Sequence, residues 1–245
     1  MCRTDLWISS DRPGQGYLIS GPIVWVSRLN IPGMVAIQSS RSTIRDMRTL
    51  LAIAFTIVVP TAPLLGQPRP DLFVCEGCEA IFDRSFVGLS WTTRIPPVGE
   101  PGVPLTLSGR VTASDGLTPA VGVVLYVYHT SAAGLYPSRG SELNWGRRHG
   151  YLRGWVKTAA NGEYRIETIR PGGYPGRSDP AHIHITVKEP ERQEYWIDDV
   201  VFTDDPRLNR AFTTRQGKRG GAGVVTPTRD ADGTWKVRRD ITLER

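Results

Sequence analysis

From about residue 105 the chain alternates. Leu105, Leu107 and Val111 are separated by polar residues, the period-two pattern of a half-buried strand, and Asp115-Gly116 follows as a turn signal. Residues 121–128 (VGVVLYVY) form a β-branched and aromatic run that suits a strand in a sandwich core. The pair 152–158 and 164–169 around Asn161-Gly162 predicts a hairpin, because Asn-Gly supplies the positive φ angles of a type I′ turn. Residues 181–187 (AHIHITV) predict another strand. Segments 223–228 and 234–243, around Asp232-Gly233, predict a final hairpin. Short strands at regular spacing with Gly and Pro turns predict an all-β fold, a β-sandwich over 101–245 centred on about 101–187, with a C-terminal extension.

Upstream the pattern fades. Residues 67–100 carry Pro68, Pro70 and Pro96-Pro97 around irregular sequence, and read as an N-terminal arm lying on the sandwich. Residues 47–66 have the layout of a secretory signal peptide: Arg48, an apolar stretch at 50–59 (LLAIAFTIVV), then helix-breaking Pro60, Pro63 and Gly66. That stretch is short of the ~20 residues a membrane-spanning helix needs, and a buried core helix is the other reading. Residues 1–46 show no sustained period, so the chain is expected to start at Met47, with 1–46 untranslated or disordered. The mature protein would begin near Gln67 and be secreted or periplasmic.

Composition agrees with a turn-rich globular protein: 40% apolar and 22% charged residues, with 26 Gly and 19 Pro among 245. The net charge of +6 suggests nucleic acid at first sight. Residues 1–66 hold 6 of the 30 basic and 3 of the 24 acidic residues, which leaves 24 basic against 21 acidic residues beyond them. No Lys/Arg run exceeds two residues, so neither nucleic acid nor a membrane surface is an expected partner.

Candidate chemistry gathers in one stretch. His182 and His184 stand two apart in a strand, so their side chains leave the same face with Cα atoms roughly 7 Å apart. Two imidazoles on one face can share a metal ion, or simply decorate the strand. Tyr174 favours the metal. It lies in Pro171-Gly172-Gly173-Tyr174-Pro175, where Pro175 holds it extended and the glycines allow close backbone approach. A phenolate is a hard donor that favours a hard trivalent ion, and Fe(III) fits best.

The stretches YVYHTSAAGLY (126–136), RGWVKTAANGEYRIETIRPGGYP (153–175) and PAHIH (180–184) resemble the intradiol ring-cleavage dioxygenases, closest to their secreted single-domain bacterial relatives. CEGCEA at 75–80 and EYWIDDVVFTDDP at 194–206 extend the likeness over roughly 75–242. The resemblance implies a ligand set of Tyr136, Tyr174, His182 and His184 on non-haem Fe(III), with a catechol-type diol and O2 as substrates and a muconate-type dicarboxylate as product. It implies that Tyr174 is the ligand that leaves and acts as base. Members of that family carry an Arg three residues before the first His. Here Asp179 stands there, and Arg177 is the nearest guanidinium to take the role.

The same scaffold pattern also resembles transthyretin-like or carboxypeptidase-regulatory sandwiches, which would make the protein a metal-free binding or structural module. A cupin-like Zn or Fe(II) site is a third reading, but the carboxylate it requires has no convincing place in the chain. In an exported protein Cys75 and Cys78 are expected to form a local disulfide. The run 147–153 (RRHGYLR) reads either as pocket lining able to hold a substrate carboxylate or as a solvated loop. His129 is expected to be structural, and Trp196, Asp198 and Asp199 to serve packing and a turn. The oligomeric state is left open.

Overall fold

The computed structural model describes residues 71–245. The expected signal segment 47–66, residues 1–46 and the start of the arm lie outside the described residues. Eleven strands are present among those described: β1 Thr92–Arg94, β2 Pro104–Thr112, β3 Val124–His129, β4 Arg153–Lys157, β5 Glu163–Ile169, β6 His182–Lys188, β7 Tyr195–Phe202, β8 Val224–Val225, β9 Thr228–Arg229, β10 Trp235–Arg238 and β11 Ile241–Thr242. Helix is confined to two short α-helices, α1 Gly146–His149 and α2 Arg210–Arg215, and a 3-10 turn at Cys78–Asp83. No helix among the described residues is long and apolar enough to cross a membrane.

The strands form two sheets. The first runs β1-β5-β2-β10-β9, with β11 also on β2, and the second runs β4-β3-β6-β7-β8. Their facing sides bury one core. Leu105, Leu107 and Val111 of β2 and Tyr164 and Ile166 of β5 meet Leu125, Val127, Ile183, Ile185 and Val187 of β3 and β6. This is the all-β sandwich that the alternation predicts.

The hairpin expected at 152–169 is not one. β4 pairs with β3 in the second sheet, while β5 pairs with β2 in the first. Asn161-Gly162 is a corner that carries the chain across the sandwich. Gly162 is in the left-handed region (φ 79), its carbonyl accepts from Val111 N at 2.8 Å, and a Cβ there would collide with the Val111 carbonyl. Pairing with β3 and β2 out-competes the local pairing. At the C-terminus β9 and β10 do pair antiparallel around Asp232-Gly233, but 224–225 joins β7 in the other sheet.

The arm is more ordered than its prolines suggest. β1 adds to the first sheet parallel to β5, and Leu72 reaches the main core. Ala80 and Ile81 cover the outer face of the second sheet against Val124, Tyr126 and Trp155, and the Trp155 indole donates to the Ile81 carbonyl at 2.8 Å. Cys75 and Cys78 form the expected disulfide.

Gly162→Ala tests the corner. It forces a β-carbon into positive φ and against the Val111 carbonyl, and a loss of about 1–3 kcal/mol is expected in equilibrium unfolding. Gly116→Ala is the control: its φ is equally positive (73) but nothing lies within 4 Å of the added carbon, so it should cost less.

Candidate metal centre

Strand parity places the histidines. On β6, Ile183, Ile185 and Val187 face the core, so His182 and His184 face outward, toward the arm. Tyr128 stands opposite His184 on β3, and the two rings stack with centroids 4.5 Å apart.

Both tyrosines come from loops and reach the histidines because those loops touch backbone to backbone. Gly172 N donates to Ser131 O at 2.9 Å, and Thr130 Oγ1 donates to Gly172 O at 2.7 Å. A Cβ on Gly172 would meet the Ala132 carbonyl, and one on Gly134 would meet the Gly173 carbonyl. The glycines that predict close approach make it here. The Tyr136 side is fixed again where Tyr151 N donates to Pro137 O at 2.9 Å. Behind Tyr174, Arg207 Nη1 donates to its carbonyl at 3.2 Å, and Asp205 ties Arg207 N to Ala181 N, both at 2.8 Å.

The four residues expected as ligands converge. Tyr136 Oη lies 2.7 Å from Tyr174 Oη and 3.0 Å from His184 Nε2. Tyr174 Oη lies 3.1 Å from His182 Nε2 and 3.5 Å from His184 Nε2. The hydrogen bonds behind the imidazoles decide what they present. His182 Nδ1 is 2.7 Å from the Pro180 carbonyl, which can only accept, and His184 Nδ1 is 2.8 Å from an Asp199 oxygen. Each Nδ1 therefore carries the proton, and each Nε2 points a lone pair inward. Tyr136 Oη and both lone pairs lie within 3.5 Å of Tyr174 Oη, an arrangement that could hold one cation, with second partners of the kind that orient metal-bound histidines.

Electrostatics agree. Burial pushes the Tyr136 phenol up, with Tyr174 as hydrogen-bond partner adding to it, and burial also pushes Tyr174 up. Without a cation both stay neutral, while a cation among them reverses that preference. Burial and the neighbouring His184 hold His182 low. Asp199 is pushed up by burial, but His184, its hydrogen-bond donor, outweighs that and leaves the carboxyl low, ready to accept.

Asp199 is the residue that sequence reasoning assigned to packing. Its place comes from a β-bulge. Opposite β6 the register shifts between Ile183 and Ile185, so β7 buries Tyr195 and Ile197 before Asp198-Asp199 but Val200 and Phe202 after it. The extra residue flips parity and turns Asp199 to the His184 face. The signal is legible in YWIDDVVF as an apolar alternation that skips a step. Asp198 is buried instead, beside Arg239.

A cavity of about 310 Å³ opens over the centre, lined by Tyr136, Tyr174, His184, Trp145, Arg148 and His149 among others. A neighbouring one of about 260 Å³ shares Tyr128 and His184. The run 147–153 thus contributes Arg148 and His149 to the lining. Its Arg153 turns inward and pairs with Asp83 at 2.6 Å. His149 stacks on Tyr128 at 3.7 Å and bonds the Tyr126 hydroxyl at 2.9 Å, and burial pulls its pKa to about 4. His129 is buried and bonded to Thr130 O and Thr168, with its pKa also pulled by burial to about 4. Arg177 lies over the Tyr174 ring, 5.5 Å from its centroid, and its Nε donates to Asp179 at 2.9 Å.

A family model for dioxygenases matches residues 92–231, which contain every donor atom of the centre. The chain belongs to the intradiol dioxygenase family. Catechol 1,2-dioxygenase 1 of Acinetobacter lwoffii is 33% identical over 107 residues, covering 36% of this chain and 32% of that protein. The protocatechuate 3,4-dioxygenase beta chain of Burkholderia cepacia is 28% identical over 156 residues, covering 61% and 65%. The chain thus spans between a third and two thirds of the length of these relatives. Among solved structures, the dioxygenase domain of a dioxygenase–carbohydrate-binding fusion from Streptomyces sp. SirexAA-E is 29% identical, with a TM-score of 0.48 over 62% of this chain and 86% of that one. Catechol 1,2-dioxygenase from Acinetobacter sp. ADP1 is 22% identical, with a TM-score of 0.48 over 64% and 57%.

In this intradiol family member the Asp199–His184 bond is open to a direct test. Asp199→Ala removes the acceptor that orients His184, and metal retention is expected to fall about 10–100-fold. Metal titration with unchanged circular dichroism separates that loss from misfolding. Asp199→Asn keeps an acceptor oxygen and should retain most of the affinity.

Proposed function

We propose that the protein is a non-haem Fe(III) dioxygenase that opens catechol-type rings between the two hydroxylated carbons, giving a muconate-type dicarboxylate. The observation that carries the reading is the convergence of Tyr136 Oη, Tyr174 Oη, His182 Nε2 and His184 Nε2, with both imidazole lone pairs turned inward. Two phenol oxygens among four donors suit a hard trivalent ion better than a soft divalent one. Ferric ion bound there supplies the positive charge that polarises the diol and the electron-accepting capacity that its reaction with O2 demands.

The chain's own residues do the rest. Pro180 and Asp199 keep protons on the far nitrogens, so each imidazole would present its near lone pair to the metal. Tyr174, on the Gly172-Gly173 loop, is assigned as the phenol that an incoming diol would displace, and Tyr136 as the one that stays. Burial raises the proton affinity of Tyr174, so its released phenolate takes a proton from a diol hydroxyl at Oη. The stacked Tyr128 and His149 rings line one side of the cavity. Arg177, beside Tyr174, is the guanidinium nearest the Asp179 position and is assigned to aid the rearrangement that opens the ring. Export is part of the proposal, supported by the signal-like segment and by a disulfide of the kind oxidising compartments sustain.

The iron-loaded protein is expected to be burgundy, from tyrosinate-to-Fe(III) charge transfer. Tyr136→Phe should remove most of that band with and without substrate and weaken iron retention. Tyr174→Phe should keep iron and part of the colour while turnover of catechols falls about 10²–10⁴-fold, the size of a lost general base. Stoichiometric zinc, with no visible band after iron reconstitution, would reject the assignment.

Arg177→Ala should lower turnover with iron content unchanged. Wild-type turnover in that variant would remove Arg177 from the reaction. Asp179→Ala, which frees the guanidinium, should not reduce turnover.

A further inference from the structure

The disulfide ring of residues 75–78 lies at the centre's door. All four of its residues line the smaller cavity, across from His184 and Asp199, and Glu76 also lines the larger one beside Tyr136 and Tyr174. We propose that this ring is the wall against which a substrate's ring substituent rests, and that Glu76, by holding Arg148, makes the site select uncharged catechols over those bearing a carboxylate. The inference rests on the ring-cleavage reading above.

The wall is fixed from several sides. The Cys75–Cys78 bond closes it, and Gly77 turns through the left-handed region (φ 87), so close to His149 that a Cβ would come within 3.2 Å of its Nε2. Gly77 O accepts from Ala80 N at 3.2 Å, in the 3-10 turn that the Trp155 indole holds through Ile81. The Cys78 sulfur rests 3.7 Å from the Thr186 hydroxyl on the histidine strand β6. Glu76 is therefore presented to the cavity by a short, doubly anchored loop, although its own side chain is 75% exposed.

Charge supplies the selection. Arg148 Nη1 lies 3.0 Å from Glu76 Oε1, with its guanidinium over Trp145, 5.0 Å from the ring centroid. On the Tyr174 side, Arg177, packed over the Tyr174 ring, is taken by Asp179 at 2.9 Å. Arg148 at the cavity and Arg177 beside Tyr174 are thus each matched by one of the chain's own carboxylates. An anionic substituent must displace one of them and then lie near Glu76 or Asp199. A neutral ring meets no such cost. Both partners of the Glu76–Arg148 pair are largely in water, so the discrimination that Glu76 contributes is modest, about two- to fivefold in affinity.

The test is anaerobic binding of catechol and of 3,4-dihydroxybenzoate to the iron-loaded protein, read from the change in its visible spectrum. Wild type should bind catechol the more tightly. Glu76→Gln, which frees Arg148, should shift the ratio of dissociation constants toward the acid about two- to fivefold. The Cys75→Ser/Cys78→Ser double variant should shift it the same way with iron content unchanged, because an opened loop no longer holds Glu76 in place. Tighter binding of the acid by wild type, or a ratio that Glu76→Gln leaves unmoved, overturns this inference while catechol binding still supports ring cleavage. If iron-loaded wild type binds neither diol, the ring-cleavage reading falls and this inference with it.

Discussion

Two glycine-bearing loops pressed together backbone to backbone hold the centre in being. Strand geometry alone delivers His182 and His184, since two residues on one face of β6 need nothing further. The tyrosines have no such guarantee, because Tyr136 and Tyr174 stand 38 residues apart on separate loops. They meet only because Gly134 and Gly172 have no side chains at the contact, where β-carbons would strike carbonyls. The Thr130 hydroxyl and the Ser131 carbonyl then fasten the approach. A β-carbon at that contact would push the two loops apart and the phenols with them.

The centre also depends on a deliberate break in regularity. A perfect β7 would put Asp198 or Asp199 out of step with the burial of its neighbours, and His184 would lose its partner. The bulge keeps Tyr195, Ile197, Val200 and Phe202 all in the core while moving one carboxylate to the outer face. Packing and chemistry are satisfied by the same extra residue. The same outer face is roofed by the arm, whose Ala80 and Ile81 bury apolar strand surface and whose disulfide ring stands over the cavity. A segment that looks like a leader to the sandwich is a structural part of its site.

A sandwich of this kind does not by itself distinguish an enzyme from a binding module. The distinction lies in polar atoms whose arrangement has a cost. Two half-buried phenols are held together, two imidazoles have their outward nitrogens occupied, and a carboxylate is kept low by the histidine it orients. Such an arrangement gains little for stability, because buried polar groups at best recover what desolvation takes away. It is intelligible as a donor set. Around it, Arg148 and Arg177 are each balanced by a nearby carboxylate.

What the sequence determined by itself is local. Alternation over a few residues placed the strands, and the two-residue spacing put the histidines on one face. The glycines of 171–175 announced a close approach, and the family likeness supplied Tyr136, which residue chemistry alone would leave as a loop tyrosine. The disulfide was legible from two cysteines three apart. Tertiary structure decided what depends on partners distant in the chain. Asn161-Gly162 has the chemistry of a hairpin turn, yet β4 paired with β3 and β5 with β2, and the turn became a corner between sheets. Asp199 took its role from a register shift against β6, and Glu76 from an arm that folds back across the sheet. Local periodicity is written within one strand, whereas pairing and register are settled by competition among strands, and that competition is decided only when the chain has closed on itself.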